Sequence, residues 1–368
     1  MKTNKKIILT FTIIIIIFFI CSIASIYNFS YSYIENYKEL MYKQIVFYLI
    51  GIVLVILLYK TNIKKLLKIS PYIYIATNII LLLVLIFGTP INGAKAWFNI
   101  PIIGSIQPSE FAKVGIVLYI AYILDKTKTK TLKDEFKLIL KVFIIVLIPS
   151  ILTFLEPDTG SVIMYFISAL IMLFVYGIKI RWFIFTLLML SIIIGTILLL
   201  FYFKKELFIK IFGSSMFYRL DRLFNWSNSS GMQLSNSIYS IGGTNFFGSG
   251  NNNIKLYFPE GHTDFIFTSF FTCFGFFGSI ILILTIIVFD FTIIKIAEIK
   301  KGIYKYLISG FIGIFIYCQI QNIAMTIGLL PITGITLPFI SYGGSSLLSS
   351  FIILGIIISS TKKDSKYS

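Results

Sequence analysis

The chain has 368 residues, of which 57% are hydrophobic and only 13% are charged, and its mean hydropathy is +0.93. These values lie far outside those of soluble globular domains, so we predict an all-α polytopic membrane protein. A formal net charge of +17 would suggest nucleic-acid binding in a soluble protein. The distribution of that charge gives a different explanation.

Ten apolar windows have roughly the 17 to 25 residues needed to cross a bilayer of about 30 Å. They predict spanning helices over 7–27, 45–59, 71–88, 108–124, 137–155, 160–177, 182–203, 265–289, 306–328 and 339–360. The first window lacks a small-residue cleavage site, so we interpret it as a retained span rather than a secretory signal. We treat residues 1–368 as one membrane domain.

The basic residues fix the expected orientation. If the N-terminus is cytoplasmic, 22 of the 32 Lys and Arg residues but only six of the 15 acids fall in cytoplasmic segments. This positive-inside bias accounts for +16 of the +17 and predicts cytoplasmic termini. It places the long segment 204–263 outside the cell, and we expect contacts with membrane lipids and no nucleic-acid partner.

The first polar external stretch contains Trp97 and leads into the fourth span at Pro108. Proline suits a first helical turn, and Glu110 fits the positive end of the helix dipole. Glu110 and Lys113 are three residues apart on one helical face, which predicts an internal ion pair. The alternative is that both bind substrate.

The second stretch, between spans five and six, contains Glu156, Pro157, Asp158 and Gly160. This composition predicts a tight turn in which Asp158 caps the next helix. The alternative is that the Glu156 and Asp158 carboxylates bind a divalent cation together with a phosphate. The cysteines Cys21, Cys273 and Cys318 have no metal-ligand or disulfide spacing, and we expect them to be packing residues.

The long external segment holds two of the three arginines, Arg219 and Arg222. They are three residues apart, and guanidinium groups bind phosphate oxygens in pairs, so a pyrophosphate would suit them. An interfacial anchor is the alternative. The segment continues through Gln233 and several glycines, which indicate a close approach of backbone to another backbone or a ligand.

The segment ends in the sequence PEGHTDF, residues 259–265, immediately before an apolar run without charge until Asp290. An acid at the mouth of a membrane helix is costly unless it has a function, so Asp264 is the first candidate for chemistry. His262, the one histidine, could bias Asp264, although a hydrogen-bonded helix-entry residue is the favoured interpretation. The stretch 328–346 has too many glycines and prolines for a plain helix, which predicts the wall of a cavity.

These stretches, in this order on ten spans, resemble the SEDS family (shape, elongation, division and sporulation) of RodA and FtsW proteins. The resemblance covers nearly the whole chain. The matching residues, in chain order, are Trp97, QPSEFAK 107–113, Pro157-Asp158 with Gly160, Arg219 and Arg222, Gln233, Gly242-Gly243, PEGHTDF 259–265, Gln321-Asn322 and LPITGITLPFISYGGSS 330–346.

The resemblance implies a peptidoglycan glycosyltransferase of the bacterial cytoplasmic membrane, which polymerises lipid II at the extracellular face. It implies a class B penicillin-binding protein as partner, a Mg²⁺ or Mn²⁺ ion as a possible cofactor, and no organic cofactor. The family's catalytic carboxylate matches Asp264. Candidate substrate-binding residues are Arg219, Arg222, Lys113, Glu110, Trp97, Gln233, His262, Ser341 and Ser345.

The chain departs from the family pattern at two places. Thr272 and Cys273 stand where the family usually carries two glutamates, and Ala96 stands where an arginine usually precedes the external tryptophan. The first departure keeps open a catalytically weakened scaffold for the penicillin-binding protein. A flippase for a lipid-linked saccharide is the other alternative, but carriers tend to keep acids near the bilayer midplane, whereas the candidate acids here are predicted on one external face.

Overall fold

The computed structural model describes residues 2–34, 37–91, 94–100, 104–214, 217, 221, 231–250 and 256–362. Within these ranges the chain forms thirteen bounded helices and three short strands. The helices are α1 (Lys2–Tyr33), α2 (Tyr37–Lys60), α3 (Ile63–Lys68), α4 (Ser70–Phe87), α5 (Pro108–Lys126), α6 (Leu132–Leu155), α7 (Thr159–Tyr176), α8 (Ile180–Phe203), α9 (Lys205–Phe212), α10 (Gly231–Gly242), α11 (Ile266–Ile299), α12 (Ile303–Thr326) and α13 (Gly344–Ser360).

Each of the ten predicted spans overlaps a helix, although the last one, 339–360, is helical only from Gly344 onward. Eight of the described helices, α1, α2, α4, α6, α7, α8, α11 and α12, are long and apolar enough to cross a membrane. The remaining two predicted spans are α5, which carries Glu110, Lys113 and Asp125, and α13, which has only 17 residues. The polytopic membrane fold is therefore confirmed, and the count of ten spans stays a prediction.

The bundle has a buried centre and a peripheral helix. In α12, 72% of the most apolar window is buried, and α5 is buried along most of its length, packed against α4, α7 and α12. In contrast, no residue of the corresponding window of α8 is buried. Because an apolar helix that is exposed all round is stable only in hydrocarbon, α8 faces lipid.

A small antiparallel sheet joins α4 to α5, in the order β1 (Thr89–Ile91), β2 (Ala94–Ile100) and β3 (Gly104–Ile106). The sequence predicted only a polar interruption here. Trp97 lies in β2 opposite Thr89, and Ala96 beside it is buried. The sheet thus adds a short structured cap to an otherwise helical protein.

Helix α11 extends ten residues beyond the predicted end of its span at residue 289. Asp290, one of the six acids counted in the cytoplasmic segments, therefore lies within this helix, where it accepts a 3.1 Å hydrogen bond from the side-chain amide of Gln319 in α12. The helix therefore continues past the predicted end of the span, and the cytoplasmic placement of Asp290 stays a prediction.

The same helix is interrupted at Gly275, whose backbone has φ 66° and ψ −163°. The loop after α10 supplies hydrogen-bond partners for the backbone groups on either side of Gly275. The Ser249 amide donates to the Thr272 carbonyl at 2.9 Å, and the Phe277 amide donates to the Phe246 carbonyl at 3.2 Å. Backbone groups at membrane depth need such partners. Thr272 and Cys273, the positions that depart from the family pattern, lie in this packed region.

We expect Gly275→Ala to destabilise the protein. Only glycine adopts this backbone region without strain of about 1–3 kcal/mol, and a Cβ would clash with the backbone of Gly248 and Phe246. The melting temperature of the detergent-solubilised chain should fall by several degrees. The matched control is Gly195→Ala in α8, where a Cβ meets nothing within 4 Å. Equal melting temperatures for the two variants would contradict the assignment.

Candidate functional site

The candidate site is built around the turn that precedes α11, residues 259–265. Its core is the completely buried pair Phe258 and Phe265, which packs with Phe29 of α1. The Phe265 amide donates to the Glu260 carbonyl at 2.9 Å, and Glu260 has a φ of 58°, which closes the turn tightly. The turn is therefore a fixed element, and Asp264 is held at its end.

The irregular segment 327–343 lies against this turn. Asn322, near the end of α12, donates its amide hydrogens to the carbonyls of Asp264, at 2.8 Å, and Ile335, at 2.7 Å. Ser341 donates to the Thr263 carbonyl at 2.6 Å and accepts from the Leu337 amide at 2.9 Å. One amide and one hydroxyl thus join the two segments that the sequence singled out.

Gly334 brings backbone close to the Asp264 carboxylate. Its φ is +72°, and a Cβ built on it would lie 3.5 Å from Asp264 Oδ2. Glycine at this position allows the left-handed conformation and leaves room beside the carboxyl group. Gly160 at the start of α7 serves a similar purpose, since a Cβ there would press on Ile335 and on the Thr333 carbonyl.

The Asp264 carboxyl group keeps some surface exposure while protein surrounds most of it. Burial raises its pKa to about 7, and the negative charges of Glu260 and Asp158 contribute in the same direction. An ordinary aspartate titrates near 4. Near neutral pH, Asp264 can therefore exchange a proton in either direction, which is the property a general base needs.

Asp158 caps α7 as predicted. Its Oδ1 accepts from the Ser161 amide at 3.0 Å, and its Oδ2 accepts from the Ser161 hydroxyl at 2.7 Å, the Gln107 side-chain amide at 3.1 Å and the Ser109 hydroxyl at 3.2 Å. Burial raises the pKa of Asp158, although the hydrogen bonds from Ser161 oppose that effect. The carboxyl group fastens the start of α5 to the start of α7.

Glu156 is buried, and neither carboxyl oxygen has a hydrogen-bond partner among the described residues. Burial, followed by the charge of Asp158, raises its pKa to about 8, so it is mostly protonated at neutral pH. Asp158 is already used as a helix cap, and the Glu156 carboxyl group stands beside it without a partner among the described residues. The described residues also contain no group of three His, Cys, Asp or Glu placed to hold a metal ion, and the cation hypothesis stays a prediction.

Glu110 and Lys113 form the predicted ion pair, largely shielded from solvent. Glu110 also accepts from the Ser349 hydroxyl of α13 at 2.9 Å. The charge of Lys113 is thereby compensated, and the pair links α5 to α13. Removing one partner would leave an uncompensated buried charge, which is strongly destabilising.

Three other predicted substrate-binding side chains make internal hydrogen bonds. The Gln233 side-chain amide donates to the Pro259 carbonyl at 3.0 Å. The Ser345 hydroxyl accepts from the backbone amide of Gln107 at 2.9 Å, and Ser341 makes the two bonds described above. They hold the turn, the start of α5 and the irregular segment in place. Through these contacts, the three side chains position the backbone of the site.

His262 stacks on Phe29 with ring centroids 5.8 Å apart and contacts Tyr342 at 5.6 Å. Burial lowers its pKa, although the charge of Glu260 opposes this effect. His262 does lie at the entry to α11, but the favoured interpretation also expected a side-chain hydrogen bond, and the buried Nδ1 has no partner among the described residues. Trp97, in β2, is partly exposed, and its carbonyl accepts from the Thr89 hydroxyl at 3.2 Å. Arg219 and Arg222 lie outside the described residues.

Sequence reasoning assigned no role to Asn322 or Gly334. Asn322 belongs to a polar pair, Gln321-Asn322, in a mostly apolar helix. A buried amide in such a helix needs partners, and that signal could have identified it. Gln321 likewise donates to the Pro331 carbonyl at 2.9 Å, so the pair holds the first half of the irregular segment at Pro331 and Ile335.

Comparison with known proteins identifies the family. The sequence profile of FtsW, RodA and SpoVE, described as "Cell cycle protein", matches residues 4–366. The chain belongs to this family. An FtsW relative from Wigglesworthia glossinidia brevipalpis, named a probable peptidoglycan glycosyltransferase, is 34% identical over 98% of this chain and 96% of its own length. A Coxiella burnetii relative of the same name is 34% identical over 78% of this chain and 77% of its own length.

Solved structures show the same fold. A structure described as "Structural coordination of polymerization and crosslinking by a peptidoglycan synthase complex" matches with a TM-score of 0.78 and 24% identity, covering 97% of this chain and 96% of that one. The crystal structure of Thermus thermophilus RodA matches with a TM-score of 0.68 and 23% identity, covering 97% and 95%. The FtsW, RodA and SpoVE family, the fold and the enzyme class predicted from the sequence are confirmed, and the flippase and scaffold alternatives are not favoured.

The raised pKa of Asp264 predicts how the stability of this protein depends on pH. Between about pH 4 and pH 7 the folded state holds this proton more tightly than the unfolded state, so the free energy of unfolding falls as pH rises. Asp264→Asn removes the cost of ionisation. Its melting temperature should therefore exceed that of the parent chain by more at pH 8 than at pH 5.

The matched control for this experiment is Asp125→Asn, which changes an exposed acid at the other end of α5. It should show a difference that does not depend on pH over the same range. A pH-independent difference for Asp264→Asn would mean that the carboxyl group titrates normally.

Proposed function

We propose that this chain polymerises lipid II into glycan strands at the outer face of the cytoplasmic membrane, with Asp264 as the general base. The observation that carries the proposal is the Asp264 carboxyl group, which a fixed turn holds at the entrance to a membrane helix, beside Gly334, and whose burial raises its pKa to about 7. Perturbed acids in a fixed polar setting are typical of functional sites. The names of the FtsW relatives support the enzyme class.

In the proposed reaction, a sugar hydroxyl of the acceptor attacks the anomeric carbon of the donor. Asp264 accepts the hydroxyl proton as the new glycosidic bond forms, and the bond from the anomeric carbon to the diphosphate breaks. Charge develops on the departing diphosphate, and fixed positive charge there is usually the largest catalytic contribution. Arg219 and Arg222 supply that charge in the proposal, because Lys113 is already paired with Glu110.

The position of the acids supports the outer face. Hydrogen bonds bring the starts of α5, α7 and α13 together with the turn before α11, so Glu110, Asp158 and Asp264 share one end of the bundle. The opposite end carries contacts such as that between the Lys300 ammonium and the Lys362 carbonyl at 3.1 Å. The lysine-rich end is cytoplasmic by the positive-inside rule.

The proposal includes a class B penicillin-binding protein as partner. Its support is the resemblance of the sequence to SEDS proteins and the fold shared with a chain in a peptidoglycan synthase complex. Carriers such as flippases tend to keep their ionisable groups near the bilayer midplane. The clustering of Glu110, Asp158 and Asp264 at one end favours chemistry at one face.

The direct test is Asp264→Asn in a gel assay with labelled lipid II, with and without the partner. We expect glycan polymer to fall below detection, because the amide cannot accept a proton, while lipid II binding persists. In the parent chain, the rate should rise with pH through about 7 and then level off. Asp125→Asn is the control and should keep full activity. Normal polymer lengths from Asp264→Asn would refute the role.

The arginines make a separate prediction. Arg219→Lys keeps the charge but loses the two-pronged guanidinium contact with a diphosphate. It should lower turnover, roughly tenfold or more for one lost charged hydrogen bond of about 1.5–3 kcal/mol. The control is Lys204→Ala, which removes an exposed charge between α8 and α9. Equal and mild effects on initial polymerisation rate would show that Arg219 is only an interfacial anchor.

A further inference from the structure

A second candidate site lies at the other end of the bundle, far from Asp264. An open groove with a volume of about 580 Å³ separates the starts of α6 and α8 and is lined by Leu132, Lys133, Phe136, Arg181, Trp182 and Phe185. Helix α6 ends beside the candidate site at Glu156. Its 24 residues span about 36 Å, so the groove is near the opposite membrane surface.

The floor of the groove is a fixed aromatic surface. The Trp182 indole nitrogen donates to Glu135 Oε2 at 2.8 Å, and Glu135 is only 7% exposed. The Phe136 and Trp182 rings lie 5.7 Å apart at 30°, and Phe185 meets Trp182 edge-on at 6.5 Å. The buried carboxylate thus holds the indole in one orientation and leaves its ring available to an apolar ligand.

The rim of the groove is basic. Glu135 is shared between Trp182 and Lys179, whose ammonium group lies 3.5 Å away. Lys133 and Arg181 are exposed, and neither forms an ion pair within the described part of the chain. Two such cations beside an apolar floor complement a ligand that has both an anionic head and a hydrocarbon tail.

The surroundings of the groove indicate the chemical class of its ligand. Phe136 and Phe185 are about half exposed, and α8, which carries Phe185, has no buried residue in its most apolar window. In a membrane such a surface faces lipid chains, and a basic pair at helix starts is at the depth of the headgroups. The groove therefore opens to the bilayer, where anionic phospholipids are available.

We propose that this groove binds one anionic phospholipid of the adjoining leaflet. Its phosphate group contacts Lys133 and Arg181, and one acyl chain lies along Phe136, Trp182 and Phe185. The proposal does not depend on the polymerase activity, since no residue of the groove belongs to the candidate site.

Trp182 provides a local reporter. In a full-length chain with Trp97→Phe and Trp226→Phe, Trp182 is the remaining tryptophan. This chain is placed in nanodiscs that contain phosphatidylglycerol or phosphatidylcholine with brominated acyl chains, which quench nearby indole fluorescence. We expect brominated phosphatidylglycerol to quench Trp182 at concentrations on the order of tenfold lower than brominated phosphatidylcholine does. The reason is that each basic residue near the surface attracts an anionic headgroup, and the groove has two.

The test variant replaces Lys133 and Arg181 with glutamine, and we expect it to lose the preference for phosphatidylglycerol. The matched control replaces Lys128 and Lys130 with glutamine, which removes the same charge from the same end without touching the groove. The control should keep the preference. All these positions lie at the surface, so a melting curve will verify that each variant folds.

Three results would overturn the proposal. Equal quenching by both lipids in the parent chain would show only adventitious annular contact. A preference that survives in the Lys133 and Arg181 variant would place the anion site elsewhere. Displacement of the lipid by soluble glycerol phosphate would show a phosphate site that does not recognise the acyl chain.

Discussion

The candidate site depends on the hydrogen-bonded contact between the turn 259–265 and the irregular segment 327–343. Neither segment has regular secondary structure, so its backbone groups need other partners at membrane depth. Asn322 supplies two hydrogen bonds and Ser341 two more, and Tyr342 donates its amide to the His262 carbonyl at 2.9 Å. Because both segments are held from the same helix end, the position of Asp264 is set by α12 as well as by its own turn.

This construction explains how an acid reaches a pKa of about 7 without a direct partner. The residues around Asp264 are occupied with one another: Asn322 and Ser341 bind backbone carbonyls, and Asp158 caps α7. None of the described hydrogen bonds stabilises the ionised carboxylate of Asp264. Burial and the neighbouring carboxylates Glu260 and Asp158 therefore dominate its pKa. A rigid frame that leaves the carboxylate poorly solvated makes the group a stronger base.

The spans could be predicted from the sequence because each requires only a long apolar run, and all ten overlap helices. The ends of the helices could not be predicted as closely. Helix α11 continues past Asp290, where Gln319 provides a hydrogen-bond partner that no local sequence pattern indicates. The sequence identified Asp264 from its place before an apolar run. It assigned no role to Asn322, although a polar pair in a buried helix was a usable signal, and it could not assign Gly334, because the importance of that residue lies in its approach to Asp264, far along the chain. The sheet at 89–106 was missed because its strands are only three to seven residues long.

The two ends of the bundle use charge in opposite ways. At the Asp264 end, the described charges Glu110, Lys113 and Asp158 are paired or used as caps, and these contacts fix one geometry. At the other end, Glu135 is the buried charge, and it orients Trp182 while Lys133 and Arg181 remain exposed. A buried charge with a partner gives rigidity, whereas an exposed cation near a membrane surface attracts anionic headgroups. A protein that must hold a fixed reaction geometry within a fluid bilayer needs both, and α6 connects the two ends directly.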